Sequence, residues 1–346
     1  MGGLLALALL GPAAGVAAAA PVDDVPVAGS FDFSPNRSAQ DGQLRGVVNA
    51  VRRIDGGTVV YWSIGLPQGA KDVVVGPQTL NDISVLDKSG YRPGDVFNVD
   101  VIDPVGLKRY RPMVSGDACL CSRYQDFEVS SFAPGTLYAG YAVVPPLPAS
   151  VTSVSVMAFG AAVSDVQVGD GALTPVSPQG KGIVELTTGW PTVPTDAIAA
   201  VGNPGSFILP LQERTSDLEK TVRKTETPTK VTVDLAADVL FATDSAKLSP
   251  RAASKIDAVG KDIAARGTGT VTVTGYTDST GSPAHNLVLS RQRADAVLAA
   301  LKPVAGGDVT FEAAGRGEAD PVATNATAQG RQENRRVTIT YSVKGK

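Results

Sequence analysis

From about Phe31 to Val168, apolar and polar positions alternate in short runs separated by turn signals. "RGVVNAVRRIDGGTVVYWSIG" reads as two strands joined by an Asp-Gly-Gly turn, because glycine takes the positive φ that a tight hairpin demands. "DFEVSSFAPGTLYAGYAVV" repeats the scheme across Pro134 and Gly135. "VTSVSVMAF" alternates Val and Ser, which buries one strand face and wets the other. Strands at this spacing predict an all-β, immunoglobulin-like sandwich over residues 28–170. Tyr61 and Trp62 read as rim and core of it rather than as a ligand platform.

The periodicity fades over residues 171–229. "GALTPVSPQGKG" and "GWPTVPTDAIAAVGNPG" are rich in Pro and Gly, and "QERTSDLEKTVRKTETPTK" is charged and Thr-rich, so the segment reads as a solvated linker. From Val231 the order returns. "VTVDL" and "TVTVTG" alternate as strands. "LSPRAASKIDAVGKDIAARG" carries helix punctuation: Ser249 as N-cap, Pro250 at the first helical position and Gly267 past the end. Ile256, Val259 and Ile263 form one apolar face. A second helix is expected to turn Leu287, Ala294, Val297, Leu298 and Leu301 inward, and "DVTFEAA" and "RRVTITYSV" add strands. Strands interleaved with two long helices over residues 230–343 predict an α/β sandwich, one sheet covered on one face.

Composition refines this. A chain of 346 residues predicts two domains, and 43% apolar content suffices for their cores. With 37 Gly and 24 Pro against 5% aromatics, turns and β structure are favoured over a helical bundle. A net charge of −3 with no basic stripe excludes nucleic acid as a partner. Residues 1–20 form an apolar run ending in small residues. It reads as a signal peptide with an Ala-x-Ala site near Ala17 and Ala19, or as a short anchor, since no Lys or Arg precedes it. The alternating segments of a porin barrel are missing. The two cysteines, Cys119 and Cys121, cannot form a zinc site with a single histidine. In an exported chain they are expected as a tight disulfide, with two reduced thiols as the alternative.

Candidate chemistry is concentrated in "TDSTGSPAHNLVLSRQRADAV". Asp278 stands in a Gly/Ser/Pro loop, and Arg293 follows on a helix. Asn286 and Arg293 are two turns apart and share a face. Helical side chains lean toward the N-terminus, so Arg293 reaches back to the loop. Leaving the end of a strand, that loop exposes amides beside a helix N-terminus. Such a cleft suits a zwitterion, with a carboxylate on the guanidinium fork and an ammonium against Asp278. An internal Asp278–Arg293 salt bridge pinning loop to helix is the alternative. Zinc ligands, a Cys/His pair or paired carboxylates in one cleft are missing, because His285 and the cysteines lie in different domains. Neither catalysis nor a cofactor or metal is expected.

"GYTDSTGSPAHNLVLSRQRADAVLAAL" closely resembles the central motif of OmpA-like peptidoglycan-binding domains. "GRGEADPVATNATAQGRQENRRV" resembles the family's second motif, and "VLFATDSAKLSP" its entry strand and loop. The resemblance covers residues 230–343 and implies a mixed sheet with helices on one face. It also implies a non-catalytic module that grips the diaminopimelate of peptidoglycan stem peptides. Asp278 would pair with the ligand's ammonium and Arg293 with its carboxylate; Thr280 and Asn286 would add hydrogen bonds, and Arg335 would reach in from the last strand. Many members carry Asp where this chain has Ala242, with Asp244 two residues on. His285 is read as a solvated loop residue, with a pH-dependent gate as the alternative. Arg331 and Arg336 are read as bracing the fold, and Asn325 as organising a loop although it fits the sequon Asn-x-Thr. "CLCS" and "FAPGTLYAGYAVVPPLPASVTSVSVMAFG" look like the N-terminal region of secreted OmpA-family proteins of high-GC Gram-positive bacteria. The expectation is an exported cell-envelope protein associated with the cell wall, its β-sandwich free to meet a protein partner. The alternative is an envelope adhesion or structural protein acting through that sandwich, with a vestigial OmpA-like pocket.

Overall fold

The computed structural model describes residues 25–33, 44–70, 73–74, 98–123, 131–178, 180, 182–307 and 309–344. The apolar run at residues 1–20 lies outside them. Two compact units are present, residues 1–103 with 109–209, and residues 104–108 with 210–346.

In the first unit, alternation produces β1 (Gly29–Phe33), β2 (Leu44–Ile54), β3 (Gly57–Gly65), β4 (Val99–Asp103), β5 (Leu137–Val144), β6 (Ser153–Ala158), β7 (Ala161–Asp170) and β8 (Val184–Glu185). Gly56, at φ 74°, closes the β2–β3 hairpin at the predicted turn. The strands hydrogen-bond in one path, β8–β5–β3–β2–β7–β6–β4, with β1 also on β2. All pairs are antiparallel except β2 and β7, where Val51 faces Val168. An immunoglobulin sandwich has two separate antiparallel sheets; this unit is mostly β but joins its strands through that parallel ladder.

Strand β3 is buried along its whole length, so alternate residues enter different cores. Trp62 packs with Val101, Val156 and Val166, and Tyr61 with Tyr141, Trp190 and Ile198. Tyr61 is therefore core rather than rim, with its ring 5.4 Å from that of Trp190. Cys119 and Cys121 are joined by a disulfide, Cα to Cα 5.2 Å.

Residues 171–229 do not form a free spacer. Leu186, Trp190 and Ile198, the last on helix α1 (Thr195–Ala199), are buried in the first unit. The charged stretch supplies β9 (Glu213–Ser216) and β10 (Val222–Glu226) to the second. Isolated apolar anchors at irregular spacing leave no period to read, and strands whose exposed positions are charged resemble solvated chain.

The second unit continues with β11 (Lys230–Ala236), α2 (Ala237–Leu240), α3 (Ala252–Arg266), β12 (Gly267–Gly275), α4 (Pro283–Ala305), β13 (Thr310–Gly315), α5 (Ala328–Asn334) and β14 (Arg336–Val343). Its sheet runs β9–β10–β11–β14–β12–β13, antiparallel except for β12 beside β13. Ile256, Val259 and Ile263 of α3 and Ala294, Val297 and Leu301 of α4 share one core with Val233, Val273 and Ile339. Helix α3 starts two residues later than Pro250, with Arg251 at its N-cap position, and Ser249 Oγ accepts the Ala252 N–H at 3.2 Å from the turn before it. Leu287 is 52% exposed, against expectation. The inward stripe of α4 runs through Asn286, Ser290, Arg293, Val297 and Leu301, which places Leu287 one position off it.

The carboxylate of Glu226, 5% exposed as a residue, is held by Arg266 and by Lys224 at 2.8 Å. Arg266 also grips Asp262, Nε to Oδ1 at 2.7 Å. Arg266 foremost, against burial and with help from Lys224, pulls the Glu226 carboxyl down to about 2. A folded-state value below the unfolded 4.5 contributes stability above pH 4.5, and that contribution is lost as the pH falls toward 2. Urea midpoints at pH 6 and pH 3 should therefore differ by less in Glu226→Gln. The difference removed should be on the order of 1 kcal/mol after solvent screening.

Candidate functional site

Four segments meet at one end of the second sheet: the entry loop 241–249 after α2, the loop 276–282 between β12 and α4, the first turns of α4, and the start of β14. Close backbone contact makes this possible. A Cβ on Gly275 would lie 2.0 Å from the Ser290 carbonyl oxygen, and one on Gly315 2.5 Å from the Arg291 nitrogen. Two glycines thus let α4 lie directly on the ends of β12 and β13. Ser282 caps α4 by accepting the His285 N–H at 3.3 Å, with Pro283 in the first turn.

Asp278 is 7% exposed. Its Oδ1 accepts the Thr280 N–H at 2.8 Å, and its Oδ2 accepts from Arg335 Nη1 at 2.6 Å. Burial alone would raise its carboxyl, but Arg335 and Thr280 outweigh burial and hold it below the usual carboxylate range. Arg335 also binds Asp238 through both oxygens, Nε–Oδ1 2.9 Å and Nη2–Oδ2 2.7 Å. Asp238 first, against burial and with Asp278 adding, keeps this guanidinium above its ordinary value. Asp278 therefore pairs with Arg335, not with Arg293.

Arg293 is 5% exposed, donates from Nε to the Ser245 carbonyl at 2.9 Å and lies 5.3 Å over the Phe241 ring. Among the described residues no carboxylate comes within 4 Å of it, and its terminal nitrogens make no hydrogen bond. Burial lowers its pKa, opposed by Asp238 and Asp244. A nearly buried cation without a bonded counter-charge is costly, and a bound anion would relieve it.

Asn286, 2% exposed, braces the loop: its Nδ2 donates to the carbonyls of Asp278 (3.3 Å) and Thr280 (3.1 Å) and to Glu318 Oε2 (3.2 Å). Thr280 itself is exposed at the mouth. Asn325 Oδ1 accepts from the Ser279 N–H at 3.3 Å and Asn334 Nδ2 at 2.9 Å, an internal loop-organising role. Arg331 donates to the Asn325 carbonyl at 2.8 Å, and Arg336 stacks 3.8 Å from the Tyr276 ring centre. Ala242 is exposed, and Asp244 meets His285.

The five sequence-predicted ligand residues thus gather in one region, with Asp278 bonded to both Thr280 and Arg335. Sequence reasoning missed Asp238 and Glu318. Each is a lone acid on a short helix or loop, and no local pattern marks it.

Residues 240–335 match the sequence profile of the OmpA family. The YiaD protein of Escherichia coli K12 is 37% identical over 121 residues, 35% of this chain and 55% of that protein, so the chain spans about half of its length. Outer membrane protein A of Bordetella avium is 32% identical over 140 residues, 40% of this chain and 69% of that protein. Peptidoglycan-binding protein ArfA of Mycobacterium tuberculosis H37Rv is 40% identical over 103 residues, 29% of this chain and 31% of that protein.

Proposed function

We propose, from the premise that this chain belongs to the OmpA family, that it is a cell-envelope protein whose second unit holds peptidoglycan without a covalent bond. The ligand group is the diaminopimelate of the stem peptide, an amino acid with a charge of each sign. The observation that carries this reading is Arg293: a residue 5% exposed, with two terminal guanidinium nitrogens left for a carboxylate's two oxygens. Asp278 stays ionised beside it and, with about four lone-pair positions, can still accept an ammonium next to Arg335 and Thr280. The name of the mycobacterial relative, a peptidoglycan-binding protein, supports peptidoglycan as the partner.

A small polar ligand in an open cleft buries little area, so each site binds weakly and retention comes from many contacts along the wall. The module is non-catalytic. In a muropeptide-release assay no product is expected, and turnover that survives Asp278→Ala would overturn this part. The chain is exported, and its first unit is left to meet a protein partner.

The direct test sediments the full chain with diaminopimelate-containing peptidoglycan and, in parallel, with wall built on lysine. Pelleting with the first wall and not the second is expected. Equal pelleting with both would remove diaminopimelate as the ligand. A second reading has one observation in its favour, the missing acid at Ala242: the pocket is vestigial and the protein acts through its first unit as an adhesion or structural element.

A further inference from the structure

The sequence contains one histidine, and it stands at the mouth of this cleft. His285 lies in the first turn of α4, and its Nε2 is 2.7 Å from Oδ1 of Asp244 in the entry loop. Both side chains are more than half exposed, at 53% and 65%. Asp244 holds a left-handed backbone, φ 54°, and is followed by Ser245, whose carbonyl accepts from Arg293 Nε at 2.9 Å. Helix α4 therefore clasps the entry loop at two consecutive residues, once with a buried guanidinium and once with an exposed imidazole.

We propose that His285 is a positioning residue for the cleft, acting through Asp244; the proposal rests on the reading of that cleft as a carboxylate-binding site. Protonated His285 ties Asp244 back by a charge-assisted hydrogen bond, which keeps the Ser245 carbonyl seated on Arg293. It also cancels the charge of Asp244, which in its absence opposes an incoming carboxylate. Both effects have one sign: the ligand is held more tightly when the imidazole is charged. Imidazole is the side chain whose charge ordinarily changes between pH 5 and 8.

Charged groups facing Arg293 across this cleft are Asp238 on α2, Asp244 in the entry loop, Asp278 before α4 and Arg335 before β14. Asp278 is bonded to Arg335 and Glu318 to Asn286. Asp278, held below the ordinary carboxylate range, keeps its charge throughout that window. An exposed ion pair is weak, so the effect is modest: about a two- to fivefold loss of affinity from pH 5.5 to 7.5.

The experiment titrates the full chain with diaminopimelate-containing peptidoglycan at pH 5.5, 6.5 and 7.5, using the unaltered protein, His285→Ala, Asp244→Asn, His285→Lys and Arg293→Ala. Thermal melts confirm that each variant is folded. The unaltered chain should weaken as the pH rises. His285→Ala should give weaker, pH-independent binding, and Asp244→Asn, which removes both the tie and the opposing charge, should give binding that no longer depends on pH. His285→Lys, a cation across this range, should retain the tight value at pH 7.5. A His285→Ala profile with the same slope as the unaltered chain would overturn the proposal while leaving the ligand reading intact. Binding that is indifferent to Arg293→Ala, or absent in every protein, would remove the ligand reading and the clasp with it.

Discussion

The full chain carrying Arg293→Ala is expected to stay in the supernatant with diaminopimelate-containing wall, at concentrations where the unaltered protein pellets. Arg293 is the cleft cation whose terminal nitrogens are not already taken by carboxylates. Each nitrogen of Arg335, by contrast, already donates to Asp238 or Asp278. Loss of a bidentate, charge-assisted pair in a nearly buried site costs roughly 2–3 kcal/mol, a thirtyfold or larger drop in affinity per site. Arg293→Lys should recover little. An ammonium is a point charge without the fork, and it cannot both reach the Ser245 carbonyl and present two parallel donors.

Asp278→Ala should also release the wall, for a partly different reason. It strands one N–H of Arg335 and unties the Thr280 amide, so the loop loses its shape together with the negative charge. Thermal melts separate the two effects, since Arg293→Ala removes one hydrogen bond and a ring contact whereas Asp278→Ala dismantles a bonded loop. Sedimentation indifferent to Arg293→Ala would leave the vestigial-pocket reading standing, with the protein's activity in its first unit.

The second large effect is one of packing. Gly275→Val should melt the second unit on the order of 10 °C lower and abolish wall binding with it. The new Cβ would lie 2.0 Å from the Ser290 carbonyl oxygen, and backbone on both sides leaves no flexible atom to give way. Pushing α4 off the end of β12 costs about 3 kcal/mol, the upper end of ordinary overpacking, because a main chain has to move. Ser290 lies on α4 between Asn286 and Arg293, so the same displacement carries the ligand residues out of register. Gly307→Ala is the control. A Cβ there meets nothing within 4 Å, and the melting temperature should be unchanged. If Gly275→Val melts with the unaltered protein, the close helix–strand contact is not what seats α4.

Much of this is legible in the sequence alone, for a local reason. Strand alternation and helix spacing repeat every two or 3.6 residues, so a dozen residues suffice to show which face of an element is buried. Ile256, Val259 and Ile263 on α3 are buried as read, and so are Ala294, Val297 and Leu301 on α4. Leu287 was misplaced because the first turns of α4 bury polar residues, Asn286, Ser290 and Arg293, and a rule that counts apolar side chains cannot see that stripe. Residues 171–229 were read as linker because their anchors, Leu186, Trp190 and Ile198, follow no period.

What the sequence by itself determined, then, was four strands and the two long helices of the second unit, the family motif and five of the residues that gather at its end. The tertiary structure alone decided which charges bond to which. Arg335 reaches Asp278 across 57 positions of chain and Asp238 across 97, and His285 reaches Asp244 across 41. No periodicity extends over such distances. An ion pair is set by where two strand ends and two loops come to rest, and that depends on the packing of the whole sheet against its helices.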